Sequence, residues 1–201
     1  IVTYREFESE VRAVLKPGED SVKAVIVCDK ADGSVNDPCP PDFASFGGLQ
    51  RREEDVALLQ HSSGSTGLQK GVALSHRAIF NHLDSYAESI LLTREDVIVS
   101  WLPLYHDMGL IACFLLPILR GIPVVQMSPF DWVRAPYRLL QAISTYRGTL
   151  TWLPNFAYNF CAQKIRDRDM VGVDLSSWRA SINTSEPVKH KSHQMFQERF
   201  K

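Results

Sequence analysis

The residues best suited to chemistry lie in one short run, residues 62–71, which reads S-S-G-S-T-G-L-Q-K-G. Glycines let successive backbone N–H groups face a single anion because no Cβ blocks them, and hydroxyl side chains add further donors. The lysine can balance the negative charge of a leaving pyrophosphate group. We therefore expect this run to bind the phosphate groups of a nucleotide. The residues expected to do so are Ser62, Ser63, Gly64, Ser65, Thr66, Gly67, Lys70 and Gly71.

The spacing of this run distinguishes it from other nucleotide-binding and catalytic loops. The P-loop of NTPases, G-x-x-x-x-G-K-[ST], has its lysine after a glycine and enters a helix, whereas here Lys70 precedes Gly71 and a strand is predicted to follow. The G-x-G-x-x-G pattern of dinucleotide-binding proteins and the G-x-S-x-G turn of serine hydrolases are absent. A plain Gly/Ser turn of a hairpin is the structural alternative, although such a turn is usually shorter and needs no lysine.

Three later segments contain the remaining candidates. Residues 101–109, W-L-P-L-Y-H-D-M-G, place His106 and Asp107 near the start of a predicted helix, where the helix dipole favours an anion and a neutral imidazole. Residues 149–158, T-L-T-W-L-P-N-F-A-Y, put aromatic and small side chains at a strand-to-helix junction that could line an apolar channel. Residues 182–188, I-N-T-S-E-P-V, follow a predicted strand. Each segment also has a purely structural interpretation. His106 would then bond only to its own turn, the aromatic residues of 149–158 would belong to the core, and residues 182–188 would form an ordinary turn.

Taken together, the four segments resemble the motifs of the adenylate-forming superfamily, which comprises acyl-CoA synthetases, peptide-synthetase adenylation domains and luciferases. Residues 63–71 are similar to its signature loop S-G-[ST]-T-G-x-P-K-G, with Gln69 in place of the proline. The segments L-P-L-Y-H-D-M-G-L, P-N-F-A-Y and D-L-S-S-W-R look like those of fatty acyl-AMP ligases in particular. The last segment is similar to N-G-A-E-P-V, with Thr184 and Ser185 in place of glycine and alanine. The matches follow the order and spacing of the family.

The resemblance implies a reaction in which ATP, with magnesium, activates a fatty or similar apolar carboxylic acid to an acyl-AMP and releases pyrophosphate. In that reaction Lys70, Thr66 and His106 would act on the reacting groups, and Thr66 would also help to position magnesium. His106 would be a gate or orienting residue and not a general base, because a carboxylic acid is already ionised near neutral pH. Adenine would be flanked by Asn183, Thr184, Ser185, Glu186 and Pro187. The acid would contact His106, Asp107, Met108, Asn155, Phe156 and Tyr158.

Two other functions fit the same motifs. An acyl-CoA ligase would share the first half-reaction and then transfer the acyl group to CoA. The other possible acceptor is an acyl-carrier protein. A non-catalytic adenylation-like module that binds a nucleotide or a partner protein is the alternative of another class, favoured by the substitutions at Gln69, Thr184 and Ser185. The resemblance further implies that residues 1–201 are an internal fragment of the large N-terminal domain, without the C-terminal domain that carries a catalytic lysine. Such a fragment is expected to be inactive by itself.

Composition and charge are those of an ordinary globular protein. Of 201 residues, 45% are hydrophobic and 22% are charged, and the net charge is −1, so no general positive field attracts nucleic acid or an anionic membrane. The four cysteines form neither a C-x-x-C pair nor a zinc-like spacing with histidine, which predicts free thiols and a cytoplasmic location. The longest apolar run, residues 108–119, is too short to span a bilayer, so an integral membrane protein is not expected.

Alternating short strands and helices predict an α/β fold, with layered, mostly parallel β-sheets and helices on both faces. Residues 1–15 are predicted to form an amphipathic helix that begins with a capping box between Thr3 and Glu6. Strands are predicted at residues 22–28, 56–60, 71–74, 97–102, 122–127, 149–153 and 178–183. Helices are predicted at residues 76–92, where Ser75 is the expected cap, and at residues 106–119, 135–146, 155–168 and 188–200.

Overall fold

A computed structural model describes residues 2–15, 26–28, 50–61 and 71–200. The chain divides into two compact units, Ile1–Arg51 and Arg52–Lys201. In the first unit, strand β1 (Val2–Tyr4) pairs in parallel with β2 (Ile26–Cys28), and a 3₁₀ turn (Arg5–Phe7) leads into helix α1 (Glu8–Val14). All of the later motif segments belong to the second unit.

The second unit contains an antiparallel strand pair and a parallel sheet. The antiparallel pair consists of β3 (Val56–His61) and β4 (Gly71–Ser75). The parallel sheet has the strand order β6-β5-β7-β8. Its strands are β5 (Ile98–Ser100), β6 (Val124–Gln126), β7 (Leu150–Leu153) and β8 (Ala180–Asn183).

Helices connect the parallel strands, as parallel pairing requires, because each chain must cross back over the sheet before it pairs again. The connecting elements are a π-helix (Met108–Leu115) that continues into α3 (Leu116–Arg120), α4 (Pro129–Arg134), α5 (Tyr137–Tyr146), α6 (Asn155–Lys164) and a 3₁₀ turn (Asp167–Met170). Helix α2 (His76–Ser89) precedes β5, and α7 (His190–Phe200) follows β8. None of the helices in the described part of the chain is both long enough and apolar enough to cross a membrane.

The core lies around the two central strands of the parallel sheet. Every residue of β5 and β7 is buried, which is expected of parallel strands covered by helices on both faces. Leu83 of α2 and Ile143 of α5 belong to the same buried cluster as Trp152 of β7. The indole N–H of Trp152 also donates to the hydroxyl of Tyr86 at 2.5 Å, so this large side chain is both packed and hydrogen-bonded.

The predicted α/β fold with a mostly parallel sheet is confirmed, and so is the capping of α2 by Ser75, whose hydroxyl accepts the N–H of Ala78 at 3.2 Å. The predicted capping box of the first helix is wrong. Thr3 lies in β1, where its extended backbone pairs with Val27, and α1 starts only at Glu8 without a side-chain cap. Pairing between strands that are far apart in the sequence therefore overrides the local capping-box pattern. Residues 22–25 of the strand predicted at residues 22–28 lie outside the described residues.

Prolines explain two further differences between prediction and structure. The predicted helix 106–119 is a π-helix followed by α3, in which Pro117 has no N–H to donate to the preceding turn. The carbonyl of Cys113 instead accepts the side-chain amide of Gln126 at 2.8 Å. The predicted helix 135–146 begins only after Pro136, since α4 ends at Arg134. Helix α6 also ends four residues earlier than predicted, at Lys164.

An ion pair between the buried Asp96 and the partly exposed Arg179 holds the start of β8 against the rest of the sheet. Arg179 donates from Nε and Nη2 to the two carboxylate oxygens of Asp96 at 2.8 Å each, and also to the carbonyl of Ile90 after α2. Asp96, which is 2% exposed, accepts further bonds from the Thr149 hydroxyl and the Thr93 N–H. Burial alone raises the pKa of Asp96, but these donors outweigh it and hold the pKa well below its ordinary value.

Replacing Arg179 by alanine leaves this carboxylate buried without its cation. We expect Arg179→Ala to lower the free energy of unfolding by about 2–3 kcal/mol near neutral pH, less than for a fully buried pair because the arginine side chain is 37% exposed. The pKa of Asp96 is lower in the folded protein than in the unfolded chain (about 3.9), so the contribution is complete above about pH 5 and is lost as the pH falls. Urea denaturation at about pH 7 and about pH 3.5 measures both effects.

Arg77→Ala is the matched control, because it removes ion pairs with Glu53 and Glu54 whose side chains are more than half exposed. We expect Arg77→Ala to lower the free energy of unfolding by less than about 1 kcal/mol. Equal losses for the two variants at neutral pH would contradict the role of the Asp96–Arg179 pair.

Candidate functional site

Three of the predicted segments meet at one edge of the parallel sheet. Residues 101–109 follow β5, residues 154–158 follow β7 and residues 184–187 follow β8. These strands are neighbours in the order β5-β7-β8, and parallel strands end at the same edge. That edge is where open α/β sheets bind their ligands. The topology thus brings together residues that are far apart in the sequence.

Direct contacts join the segment after β8 to the other two. The hydroxyl of Ser185 lies 3.6 Å from the sulfur of Met108, at the start of the π-helix. Oε1 of Glu186 accepts the backbone N–H of Phe156, at the start of α6, at 2.7 Å. The residues of this segment that are exposed are Thr184, Ser185, Glu186 and Pro187. They are therefore available to a ligand while they hold the two neighbouring segments.

Asn155 and Asn183 form the polar base of this junction. Asn155 is 3% exposed, and its Oδ1 accepts the N–H of Lys189 at 2.9 Å while its Nδ2 donates to Ser192 at 3.1 Å. Nδ2 of Asn183 lies 3.4 Å from Oδ1 of Asn155 and 2.7 Å from Nε2 of His193. Oδ1 of Asn183 is buried without a donor among the described residues. The two amides thus connect α6, β8 and α7.

A stack of aromatic rings supports the exposed face of Phe156. Trp101, after β5, and Trp132, on α4, lie parallel with 3.7 Å between ring centroids and 4° between planes. Phe156 meets both rings edge-on at 6.2 and 6.3 Å and is 49% exposed. The two indole N–H groups are buried and have no acceptor in the described part of the chain. Phe156 therefore presents an apolar surface on a rigid base.

Tyr158 does not share this surface with Phe156, although the sequence suggested both as contacts for the acid. Tyr158 is 2% exposed, its hydroxyl lies 2.7 Å from the hydroxyl of Ser181, and its ring packs on His193 and Phe196. Residues two positions apart on a helix point to different sides. Tyr158 thus packs against α7, and Phe156 faces solvent.

His106 is held by its neighbour in the chain. Its Nδ1 lies 2.7 Å from Oδ1 of Asp107, and the same carboxylate oxygen accepts the N–H of Met108 at 2.8 Å. The backbone nitrogen of Met108 also lies 3.3 Å from Nδ1 of His106. Both side chains are about half exposed or more. The imidazole is thereby oriented, as a gate or orienting residue would be.

Gly109 allows the segment before the π-helix to fold tightly. A Cβ at this position would lie 2.2 Å from the carbonyl oxygen of Pro103 and 2.9 Å from its carbonyl carbon. The same carbonyl oxygen accepts the N–H of His106 at 3.2 Å. Gly109 is therefore needed for the backbone arrangement that places His106 and Asp107 at the edge of the sheet.

An apolar cleft of about 280 Å³ opens beside the same π-helix. Its walls come from β3, α2 and the π-helix with α3. The residues that line it are Ala57, Leu58, His76, Ile79, Phe80, Leu110, Leu115 and Leu119. This cleft and the surface of Phe156 are two apolar surfaces close in sequence to the candidate residues.

Residues 62–70 of the glycine-rich run lie outside the described residues. This applies to Ser62, Ser63, Gly64, Ser65, Thr66, Gly67 and Lys70. The residues that flank the run, His61 and Gly71, are direct partners in the β3–β4 register, and Gly71 is exposed at the start of β4. Among the residues that are described, no group of three His, Cys, Asp or Glu side chains could hold a metal ion.

The site also contains a residue that sequence reasoning missed. Trp132 supports Phe156, yet it lies on a helix that contains none of the recognised segments. No local signal identifies it, because its contact with Trp101 depends on how α4 packs against the end of β5. Ser185 has a φ of 74°, a backbone conformation that only the structure reveals for a non-glycine residue.

The amino-acid sequence matches a known family along its whole length. Residues 1–201 match the family described as AMP-binding enzyme. Over 192 residues the chain is 36% identical to the medium-chain-fatty-acid–[acyl-carrier-protein] ligase TtuA of Teredinibacter turnerae. This similarity covers 96% of this chain but 29% of that protein, so the chain spans less than a third of the length of its relative.

Solved structures share the fold. A fatty acyl-adenylate ligase from L. pneumophila, in complex with acyl adenylate and pyrophosphate, superposes with a TM-score of 0.71 and 42% identity over 74% of this chain and 26% of that chain. A second fatty acyl-adenylate ligase, from a study of the E. coli and L. pneumophila enzymes, has a TM-score of 0.79 and 30% identity, and covers 100% of this chain and 35% of that chain.

Adding a methyl group at Gly109 forces backbone atoms apart. We expect Gly109→Ala to lower the free energy of unfolding by about 2–3 kcal/mol, because the atoms in the way belong to the backbone of Pro103 and cannot rotate aside. Gly121→Ala is the control, since Gly121 has a φ of 65° but a Cβ added there would meet no atom within 4 Å, so only the left-handed conformation costs about 1 kcal/mol. Urea denaturation measures both variants. An equal loss of unfolding free energy in the two would exclude the proposed packing role of Gly109.

Proposed function

This chain belongs to the family of AMP-binding enzymes, and on that premise we propose that the full-length protein activates a fatty or similar apolar carboxylic acid with ATP. The products are an acyl-AMP and pyrophosphate. The observation that carries the proposal is the meeting of three segments at one edge of the sheet, through the contacts of Ser185 with Met108 and of Glu186 with Phe156. We also propose that residues 1–201 belong to the large N-terminal domain of that protein, as the resemblance of their motifs implies.

The reaction needs correct positioning and charge neutralisation but no base. One carboxylate oxygen of the acid attacks the α-phosphorus of ATP. The bond from this phosphorus to the oxygen that bridges to the β-phosphate breaks, and pyrophosphate leaves with the electron pair. No proton moves, because the acid is already ionised near neutral pH. The protein therefore acts by holding the carboxylate in line with the leaving group and by neutralising the phosphates.

We assign the nucleotide to the glycine-rich run and to the segment after β8. Ser63, Ser65, Thr66 and Lys70 hold the β- and γ-phosphates, while the segment 183–187 flanks adenine. The hydroxyl of Thr66 would help to hold magnesium, which would supply positive charge to the phosphate groups. The exposure of residues 184–187 at the ligand-binding edge of the sheet supports the adenine assignment.

The acid lies on the opposite side of the junction in this proposal. Phe156, half-exposed above the tryptophan pair, and Met108 provide apolar surface from which an acyl chain displaces water. His106, oriented by Asp107, lies between the nucleotide and the acyl chain. Asn155 and Tyr158 support this wall from inside the protein.

We propose an acyl-carrier protein as the acceptor of the acyl group, because TtuA is a ligase of that kind and is 36% identical to this chain. CoA is the alternative acceptor. We place the reaction in the cytoplasm. Cys113 and Cys161 are free thiols, which are usual in proteins of reducing compartments.

Lys70→Ala in the full-length protein tests the role of the run 62–71. We expect acid-dependent exchange of pyrophosphate into ATP to fall by about 100-fold or more, since a charge that faces the leaving group is removed. The control is Lys164→Ala, at the exposed end of α6. The measurement is pyrophosphate exchange with fatty acids of several chain lengths.

Unchanged exchange by Lys70→Ala would remove the run from the mechanism. If the wild-type protein shows no exchange, and calorimetry detects binding of neither ATP nor an acyl-AMP analogue, the protein is a non-catalytic module and the proposed activity is wrong.

The acceptor is tested by product analysis. With the acid, ATP and an equimolar mixture of CoA and acyl-carrier protein, we expect acyl-carrier protein to be acylated at least about tenfold faster than CoA, a preference that corresponds to about 1.4 kcal/mol. Mass spectrometry of both products measures the ratio. Predominant acyl-CoA would assign the protein to the CoA ligases while leaving the first half-reaction intact.

A further inference from the structure

We propose that Glu186 is a positioning residue that fixes the acyl side of the site to the nucleotide side, and that it thereby sets the affinity for the carboxylic acid. This inference rests on the proposed function. Glu186 belongs to the segment that flanks adenine, and its Oε1 accepts the N–H of Phe156 at 2.7 Å. Phe156 belongs to the wall that faces the acid. One hydrogen bond thus connects the two halves of the site across 30 positions in the sequence.

Helix α6 needs this bond because its own sequence provides no cap. Pro154 is the residue before the helix, and it makes no side-chain cap. The first N–H groups of a helix have no partner within the helix, and the N–H of Phe156, the second residue of α6, is one of them. A carboxylate also interacts favourably with the positive end of the helix dipole. Glu186 therefore supplies from a distance what an Asp or Ser at position 154 would supply locally.

The bond completes the positioning of Phe156, whose ring is already held by the tryptophan pair. Trp101 and Trp132 fix the ring edge-on, at 6.2 and 6.3 Å between centroids. The backbone N–H is the second point of attachment, and Glu186 holds it. With both points fixed, Phe156 keeps one orientation even though it is 49% exposed. Loss of the bond lets the start of α6 fray, because its N–H then has water as its partner.

The segment that carries Glu186 is itself fixed in position. Asn183 lies against Asn155 and His193, and Ser185 adopts a φ of 74°, which is unfavourable for a residue with a Cβ. In this conformation the Ser185 hydroxyl faces Met108 while the next residue reaches Phe156. Two consecutive side chains thus contact both acyl-side segments. A strained residue at such a junction fits a positioning role better than a purely structural one.

The test compares Glu186→Ala, Glu186→Gln and Glu88→Ala in the full-length protein. We expect Glu186→Ala to raise the KM for the acid in pyrophosphate exchange about fivefold, which corresponds to about 1 kcal/mol, the effect of losing a helix cap. The kcat should change less than about twofold, because the residues assigned to the phosphate groups, including Lys70, are untouched. Glu186→Gln should stay within about twofold of wild type in KM, since the amide oxygen accepts the same hydrogen bond.

The control Glu88→Ala removes an exposed glutamate from α2 and should leave both constants unchanged. A merely structural role for Glu186 would lower the melting temperature and the active fraction, and hence kcat, without changing KM. That result overturns the inference, and so does an acid KM of Glu186→Ala within about twofold of wild type. If Glu186→Ala does not fold, Glu186→Asp takes its place, because its shorter side chain cannot reach Phe156; failure of both to fold also overturns the inference. Absence of exchange in the wild type refutes the proposed function, and the inference with it.

Discussion

The parallel pairing of β7 with β8 is the constraint on which the site depends. Its register places Leu153 opposite Asn183, so the two strands end side by side and their chains leave the sheet together. Asn155 can then meet Asn183, and Glu186 can reach Phe156. A shift of one residue would turn Asn183 to the other face of the sheet and displace the segment after β8 relative to α6, which would break these contacts.

Buried polar groups hold this register at both ends of the strands. At the start of β8, Arg179 donates to the buried carboxylate of Asp96. At its end, the amide nitrogen of Asn183 contacts Asn155 and His193. Such groups are costly to bury unless they are paired, so they favour one arrangement over its neighbours. Between them β7 is buried and β8 is half-buried, whereas the segment beyond the carboxyl end of β8 is exposed. The molecule thus combines a rigid base with an accessible edge.

This division suits the proposed chemistry. Joining a carboxylate to a phosphate requires little from the protein beyond geometry and charge, since the nucleophile is ionised before it binds. The contacts in the described part of the chain fix the positions of the groups at the site. Asp107 orients His106, the tryptophan pair supports Phe156, and Glu186 ties the acyl side to the nucleotide side. Charge neutralisation is assigned to Lys70 and magnesium in the proposal.

The sequence by itself determined the order of the strands and of every long helix in the second unit except α4, the membership of the family and the three segments found at the sheet edge. It could do so because these depend on local periodicity, on turn residues and on motifs that are continuous in the chain. The start of α1, the π-helix after His106 and the separate surroundings of Phe156 and Tyr158 were decided by tertiary structure. Each depends on a partner distant in sequence, such as Val27, Gln126 or Trp132, and no local pattern encodes where that partner will lie.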